Sequence, residues 1–381
     1  MTGETPPQSA ESLELVRVTD PDVLRQVWLN NKEHFAPEML DELWLEKAAL
    51  RTGLDLGPGV EHKIWILVPK GKGNDPSCIL SSVHTYDRPG LMSHRSKGNE
   101  AGVELKDIMV AYVLLVFTPR EHRKKGYAKT TLRMLREHLS NQTSPAIDLS
   151  FLYSSVGRDF YSASGWPAVQ SRELVMEVPG LVFPELPVDT SGTKPCEPED
   201  ITVSNLQVIM DRDIELLRSE MLSHALATPQ GPLVAAIVPE ARIFRGQLAI
   251  ALFTNSKVVK VDKPITKIGV RLVDHDKPSG GDAFIIWTYH LQSKLLLILR
   301  IRYRTIHQLQ CLLKEAMKEA QEWSMDKLAV WGLDDDHAIQ ATGIPNGDRT
   351  TAWSCIGHIR QEDQVHKDTV LLANEAYIWG L

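Results

Sequence analysis

The stretch that most constrains this chain is residues 109–139, MVAYVLLVFTPREHRKKGYAKTTLRMLREHL. Val110, Val113, Leu114, Leu115, Val116 and Phe117 form a nearly continuous apolar run, the pattern of a central strand covered on both faces. Pro119 stops it. Beyond Gly126, the apolar residues Ala128, Leu132, Leu135 and Leu139 recur at the spacing of an amphipathic helix. Between the two, Arg120, Arg123, Lys124, Lys125 and Lys129 crowd the N-terminal end of that helix. Unpaired backbone N–H groups and the macrodipole already make this end positive, so cations there make sense around an anion. A helix N-terminus beside a glycine is a phosphate cradle; a solvated basic turn is the other reading of the same charges. A nucleotide P-loop is excluded, because its lysine directly follows a second glycine and a further glycine stands upstream at fixed spacing.

The remaining composition is that of a globular protein. The chain has 381 residues, 43% hydrophobic and 24% charged, enough for two or three domains with their own cores. Its formal charge of −7 argues against general nucleic-acid binding, which makes the basic turn a local feature. No apolar stretch has the length of a membrane span, and the polar start MTGETPPQSAESLEL resembles neither a signal nor a transit peptide, so a cytoplasmic, membrane-free protein is expected. Cys78, Cys196, Cys311 and Cys355 lie far apart, and the 13 histidines show no metal-binding spacing. Reduced thiols and no metal are the expectation.

Residues 13–18 alternate as a first strand, and Asp20-Pro21 caps a helix, followed by a second helix over 38–51. Residues 63–69 and 78–86 read as strands. The polar, glycine-containing segment 87–106 reads as an exposed loop and candidate substrate flap. After the 109–139 unit come a strand at 146–153, a short helix over 158–164 and a last strand at 169–178. Residues 179–199 carry the prolines and acids of a linker. Beyond it the pattern gives a helix over 203–222, strands at 248–253, 265–273, 283–291 and 294–303, a long helix from a Thr305 cap to about 325, and a strand at 327–333. The domains are therefore drawn as 1–180, a linker at 181–200, and 201–381.

Arg123-Lys124-Lys125-Gly126-Tyr127-Ala128 fits R/Q-x-x-G-x-G/A between a strand and a helix, and Phe160-Tyr161-x-x-x-Gly165-Trp166 follows. Together these resemble the acetyl-CoA loop and the later F-Y-x-x-x-G-F motif of the GCN5-related N-acetyltransferases (GNAT superfamily), with Trp for the final Phe. The strand and helix order matches that α/β fold, with its central mixed sheet. The second half repeats strands, a long helix and a strand without the glycine turn, as a degenerate GNAT-like copy that binds no CoA would. LSSVHTY at 80–86, residues 117–128 and 149–166, the region 314–331 and the ending NEAYIW at 374–379 are similar to the fungal lysine N-acetyltransferases of lysine catabolism.

That resemblance implies acetyl-CoA as co-substrate and a small amine, most simply free L-lysine, as acceptor. It assigns the turn from Arg123 to Ala128, with Lys129 and Thr130, to the pyrophosphate, and Val116, Phe117 and Thr118 to the pantetheine amides. Tyr161 matches the acid that protonates departing CoA, or else it packs beside Phe160. His84 is a candidate base, or a packed strand histidine. Glu104 and Asp107 are candidates for holding the amine, as is Glu375 if the aromatic C-terminal segment reaches the acceptor pocket. A tailoring acetyltransferase for another amine, a protein-lysine acetyltransferase and a non-catalytic acyl-CoA-binding pseudoenzyme share these motifs.

Overall fold

The computed structural model describes residues 10–55, 57, 60–95, 102–154, 156–169, 173–179, 197–227, 233–261, 263–273, 282–333, 353–359 and 369–378. In chain order, the first part comprises β1 (Leu13–Arg17), α1 (Pro21–Phe35), α2 (Asp41–Thr52), β2 (His62–Pro69), β3 (Ser81–Arg95), β4 (Val103–Phe117), α3 (Tyr127–Asn141), β5 (Ile147–Ser154), α4 (Arg158–Ser162), β6 (Ala168–Val169) and β7 (Glu173–Glu177). The second comprises β8 (Glu197–Ile201), α5 (Leu206–Ala227), β9 (Leu233–Ile237), α6 (Ala241–Phe253), β10 (Gly269–Val273), β11 (Ala283–His290), β12 (Leu295–Arg302), α7 (Ile306–Glu322), β13 (Lys327–Trp331), β14 (Trp353–His358) and β15 (Thr369–Leu371).

Local chemistry explains the ends of these elements. Asp20 accepts from the backbone N–H groups of Asp22 and Val23, and Pro21 starts α1 without losing a bonded N–H. Thr305 caps α7 by accepting from Gln308 N. Leu132, Leu135 and Leu139 turn one face of α3 into the core, where they meet Trp65, Val83, Val113 and Leu152.

The strands form two mixed sheets. One runs β1-β2-β3-β4-β5-β14-β6, and the other β7-β13-β12-β11-β10-β8. Each has a parallel pair flanked by antiparallel strands, β4 with β5 and β12 with β13, and in the first sheet β9 also joins the β3 edge and pairs in parallel with β15. The second sheet thus repeats the first. The copies also exchange strands: β7 pairs with β13, and β14 inserts between β5 and β6. The boundary drawn at 181–200 is therefore crossed in both directions, and most of that linker lies outside the described residues. A shared apolar cluster containing Tyr112, Phe151, Phe244, Ile286, Trp331 and Tyr377 fills the space between the facing sheets.

Three expectations need correcting. Residues 87–95 and 103–106 of the expected loop are strand instead: they extend β3 and β4, in register from Arg95 opposite Val103 to Asp87 opposite Ala111, while residues 96–101 lie outside the described residues. Lys106 pairs with Asp148 at 2.9 Å, and the neighbouring Asp107 pairs with Arg218. The run 248–253 is the end of α6, not a strand; a short apolar run fits either state, and burial of Ala241, Ile243, Phe244, Gly246 and Gln247 shows the helical face beginning earlier. The strand expected at 169–178 is split, with β6 in the first sheet and β7 in the second.

Candidate active site

The site begins where β4 parts from β5. The two strands pair from Met109 opposite Ile147 to Tyr112 opposite Phe151, with a register shift between Met109 and Val110, and pairing then stops. Leu115 has φ +49°, a left-handed backbone in a branched residue. Across the strand, the β3 register shifts between Ser82 and His84. This irregularity turns β4 away from β5 and leaves one edge of Val113–Phe117 without a strand partner among the described residues. Such an edge can pair with an amide-bearing chain. Val116 and Thr118 are half-buried and Phe117 is buried, with the Phe117 carbonyl accepting from Ser81 Oγ at 2.9 Å.

The basic turn follows at the same end. Lys124 (φ +63°) and Gly126 (φ +83°) are both left-handed, and Gly126 precedes α3 without a side-chain cap. The N–H groups of the first turn of α3 therefore keep their hydrogen-bonding capacity for a ligand. Arg123 is tied down through Nε to the Thr118 carbonyl at 3.1 Å and lies over Phe117 at 5.7 Å. Lys124 and Lys129 are exposed, Lys125 and Thr130 half-buried. The equivalent places in the second sheet are filled. Thr305 caps α7 with its own side chain, and the N–H of Ile301, beyond the β12–β13 pairing, donates to Glu375 Oε2 at 2.8 Å.

Tyr161 sits in α4, which directly follows the C-terminal end of β5 and so stands at the open end of the β4–β5 gap. Its ring is buried with Val113, Leu152, Trp166 and Cys355 and makes an edge contact with Phe160 at 4.9 Å. Burial pushes its hydroxyl up to about 12, with Cys355 adding to the rise, so it stays protonated at neutral pH.

The other face of β3 carries a polar row inside the shared core. His84 is buried, with both ring nitrogens engaged: Asn31 Nδ2 lies 3.1 Å from Nε2, and His62 Nε2 lies 3.0 Å from Nδ1. Burial holds its pKa well below the usual histidine range, helped by His62 and Arg51. A base needs a free lone pair in reach of its proton, and His84 has none; it is a buried structural link. Two residues on, Tyr86 stacks on His62 at 4.2 Å, and its hydroxyl faces the Arg51 carbonyl at 3.4 Å. Two residues further, the guanidinium of Arg88 lies 5.3 Å from the Tyr86 ring centre.

The proposed amine-holding acids are placed elsewhere. Glu104 and Asp107 are exposed on the hairpin, ten and seven residues before Leu114, so about 33 and 23 Å from the gap along the strand. Asp107 pairs with Arg218. Glu375 is buried, but Oε1 accepts from Arg300 and Oε2 from Ile301 N. It anchors the turn Ala376–Ile378 to β12, so both of its oxygens are committed; Trp379 lies outside the described residues. Sequence reasoning missed Arg51, His62 and Arg88. The available signal was the period-two row His84, Tyr86, Arg88, which puts three polar rings and cations on one strand face.

Comparison with known proteins fits this geometry. The family model described as the LYC1 GNAT-like C-terminal domain matches residues 182–380. A curated relative from Yarrowia lipolytica, named lysine acetyltransferase, is 22% identical over 288 residues, covering 66% of this chain and 68% of its own. Among solved structures, a conserved Enterococcus faecalis protein titled a probable N-acyltransferase has a TM-score of 0.55 at 12% identity, covering 91% of this chain and 72% of its own. A GCN5-related N-acetyltransferase from Anabaena variabilis has a TM-score of 0.51 at 12% identity, covering 91% and 73%. The glycine turn, the strand gap and the matched second domain thus converge: the chain belongs to the LYC1-like family of the GNAT superfamily and is an acyltransferase of the N-acetyltransferase type.

Proposed function

We propose that this acyltransferase moves the acetyl group of acetyl-CoA to the ε-amine of free L-lysine, giving N6-acetyl-L-lysine. The observation that carries the donor assignment is the uncapped N-terminus of α3 behind two left-handed turn residues, beside the unpaired edge of β4. The turn from Arg123 to Ala128 holds the pyrophosphate, with Lys129 and Thr130 beside it, and Val116–Thr118 pair with the pantetheine. The thioester then reaches the β4–β5 gap. The neutral amine attacks the thioester carbonyl, the C–S bond breaks as the tetrahedral intermediate collapses, the leaving thiolate takes a proton from the Tyr161 hydroxyl, and the proton lost by the new amide nitrogen restores that hydroxyl through solvent. Lysine as acceptor is supported by the name of the Yarrowia relative. The test is thiol release from acetyl-CoA with L-lysine, L-ornithine, polyamines and lysine-containing peptides. Lysine-dependent release supports the reading. Release with another amine only would remove lysine, and CoA binding without any release would favour a pseudoenzyme.

A further inference from the structure

The row on β3 ends in a set of donors with nothing to donate to. Arg88 is 1% exposed, yet none of its three guanidinium nitrogens has a hydrogen-bond partner among the described residues. Arg51 Nε and His62 Nδ1 are buried and equally unpaired. A buried guanidinium without a partner costs several kcal/mol, so folds do not normally leave one.

The proton positions sharpen the picture. Ser82 Oγ donates to Asn31 Oδ1 at 3.4 Å, which orients the amide so that Nδ2 donates to His84 Nε2. His84 must then carry its proton on Nδ1 and donate to His62 Nε2. His62 in turn carries its proton on Nδ1, the unpaired nitrogen. Arg51, His62 and Arg88 therefore all present N–H groups in the Tyr86 neighbourhood: the Arg51 backbone carbonyl accepts from the Tyr86 hydroxyl and Tyr86 acts on the Arg51 guanidinium, His62 stacks on the Tyr86 ring, and the Arg88 guanidinium lies beside that ring. The carboxylate that acts on Arg88 most directly, Glu240, already binds Arg242 at 3.0 Å and keeps one buried oxygen unpaired. Strand pairing changes hands at this point. β2 pairs with β3 as far as Tyr86, and β9 takes over the same β3 edge at Gly90, so Arg88 lies where neither covers it.

We infer that Arg88, with Arg51 and His62, forms a receptor for the carboxylate of the acceptor, so that the enzyme selects amines carried by free amino acids. Tyr86 is opposite Tyr112, and the β4–β5 gap opens just beyond Tyr112, near Leu114. A carboxylate held over Tyr86 is thus two residues, about 7 Å, from the gap, the length scale of an extended lysine side chain. Glu240, the N-cap residue of α6, supplies the unpaired acceptor for the α-ammonium. Polyamines have no group for the Arg88 side, and a protein lysine has an amide there.

This inference rests on the proposed amine acetylation, and its test separates the two. Steady-state kinetics with acetyl-CoA would compare L-lysine, cadaverine and L-lysinamide in wild type and Arg88→Gln, with calorimetric binding of each amine in parallel. Wild type is expected to prefer lysine to both analogues by about 30-fold or more in kcat/KM, the low end of what an unpaired buried charge costs. Arg88→Gln should raise the KM for lysine by a similar factor, leave kcat within a few-fold, and leave cadaverine unchanged. Arg51→Gln, read the same way, serves if Arg88→Gln melts early. Equal use of cadaverine and lysine by wild type would overturn the inference and leave the acetyltransferase reading standing. Turnover of no amine would overturn that reading, and calorimetry then decides the inference: lysine binding lost in Arg88→Gln keeps it, no binding by wild type ends it.

Discussion

Replacing Glu375 by alanine is expected to damage the fold before it damages acceptor binding. Glu375 is 6% exposed and joins the C-terminal turn to β12 through Arg300 and the Ile301 N–H. Arg300 also donates to Asp213, at 2.9 Å from Nε and 3.0 Å from Nη2, and Arg302 joins Asp213 from the next position on that face. Removing Glu375 leaves one guanidinium nitrogen and one backbone N–H buried without acceptors. Breaking a buried pair from one side costs about 3–5 kcal/mol. For a chain of this size, where each kcal/mol moves the midpoint by about 2 °C, the melting temperature should fall by about 6–10 °C. Glu375→Gln keeps the acceptor oxygen and should lose less. The assay is thermal denaturation followed by circular dichroism, beside the KM for lysine measured below the transition. An unchanged melting temperature with a raised KM would refute the structural assignment and return Glu375 to the acceptor site.

Three further outcomes are expected. Tyr161→Phe should lower kcat by about 10²- to 10⁴-fold, the usual contribution of a general acid, with the KM for acetyl-CoA within a few-fold, as pre-steady-state thiol release would show. Gly126→Ala meets no atom within 4 Å but must hold φ +83°, a strain of about 1–2 kcal/mol. It should weaken CoA binding about tenfold by calorimetry, and rising salt should weaken binding in both proteins. Below the unfolded histidine pKa of about 6.5, the unfolded chain binds a proton at His84 that the native state refuses, because the buried ring's pKa lies well below that value. Stability should therefore fall on acidification by about 1.4 kcal/mol per pH unit from this residue, and urea midpoints of His84→Gln should lose that part of the slope.

The first domain was readable because its signals are local. The apolar run of β4, the glycine at a left-handed position and the leucine face of α3 each follow from neighbouring residues. What was not readable depends on partners distant in sequence. Residues 87–95 and 103–106 became strand because β9 covers the β3 edge at Gly90–Met92 and because Asp148 neutralises Lys106. The strand exchange left no local trace, since β7 and β14 alternate or run apolar like any other strand. Among the site residues, the turn was legible as a spacing. Arg88 was not, because an arginine in a polar stretch looks solvated until the fold buries it.

The acetyl transfer to lysine is decided by identifying the product formed from acetyl-CoA and L-lysine by mass spectrometry with fragmentation, using wild type and Tyr161→Phe at equal enzyme concentration. One product is expected, lysine acetylated on the ε-nitrogen, formed stoichiometrically with free CoA and strongly reduced in the variant. Acetylation of the α-nitrogen, or CoA release with no acetylated lysine, would contradict it.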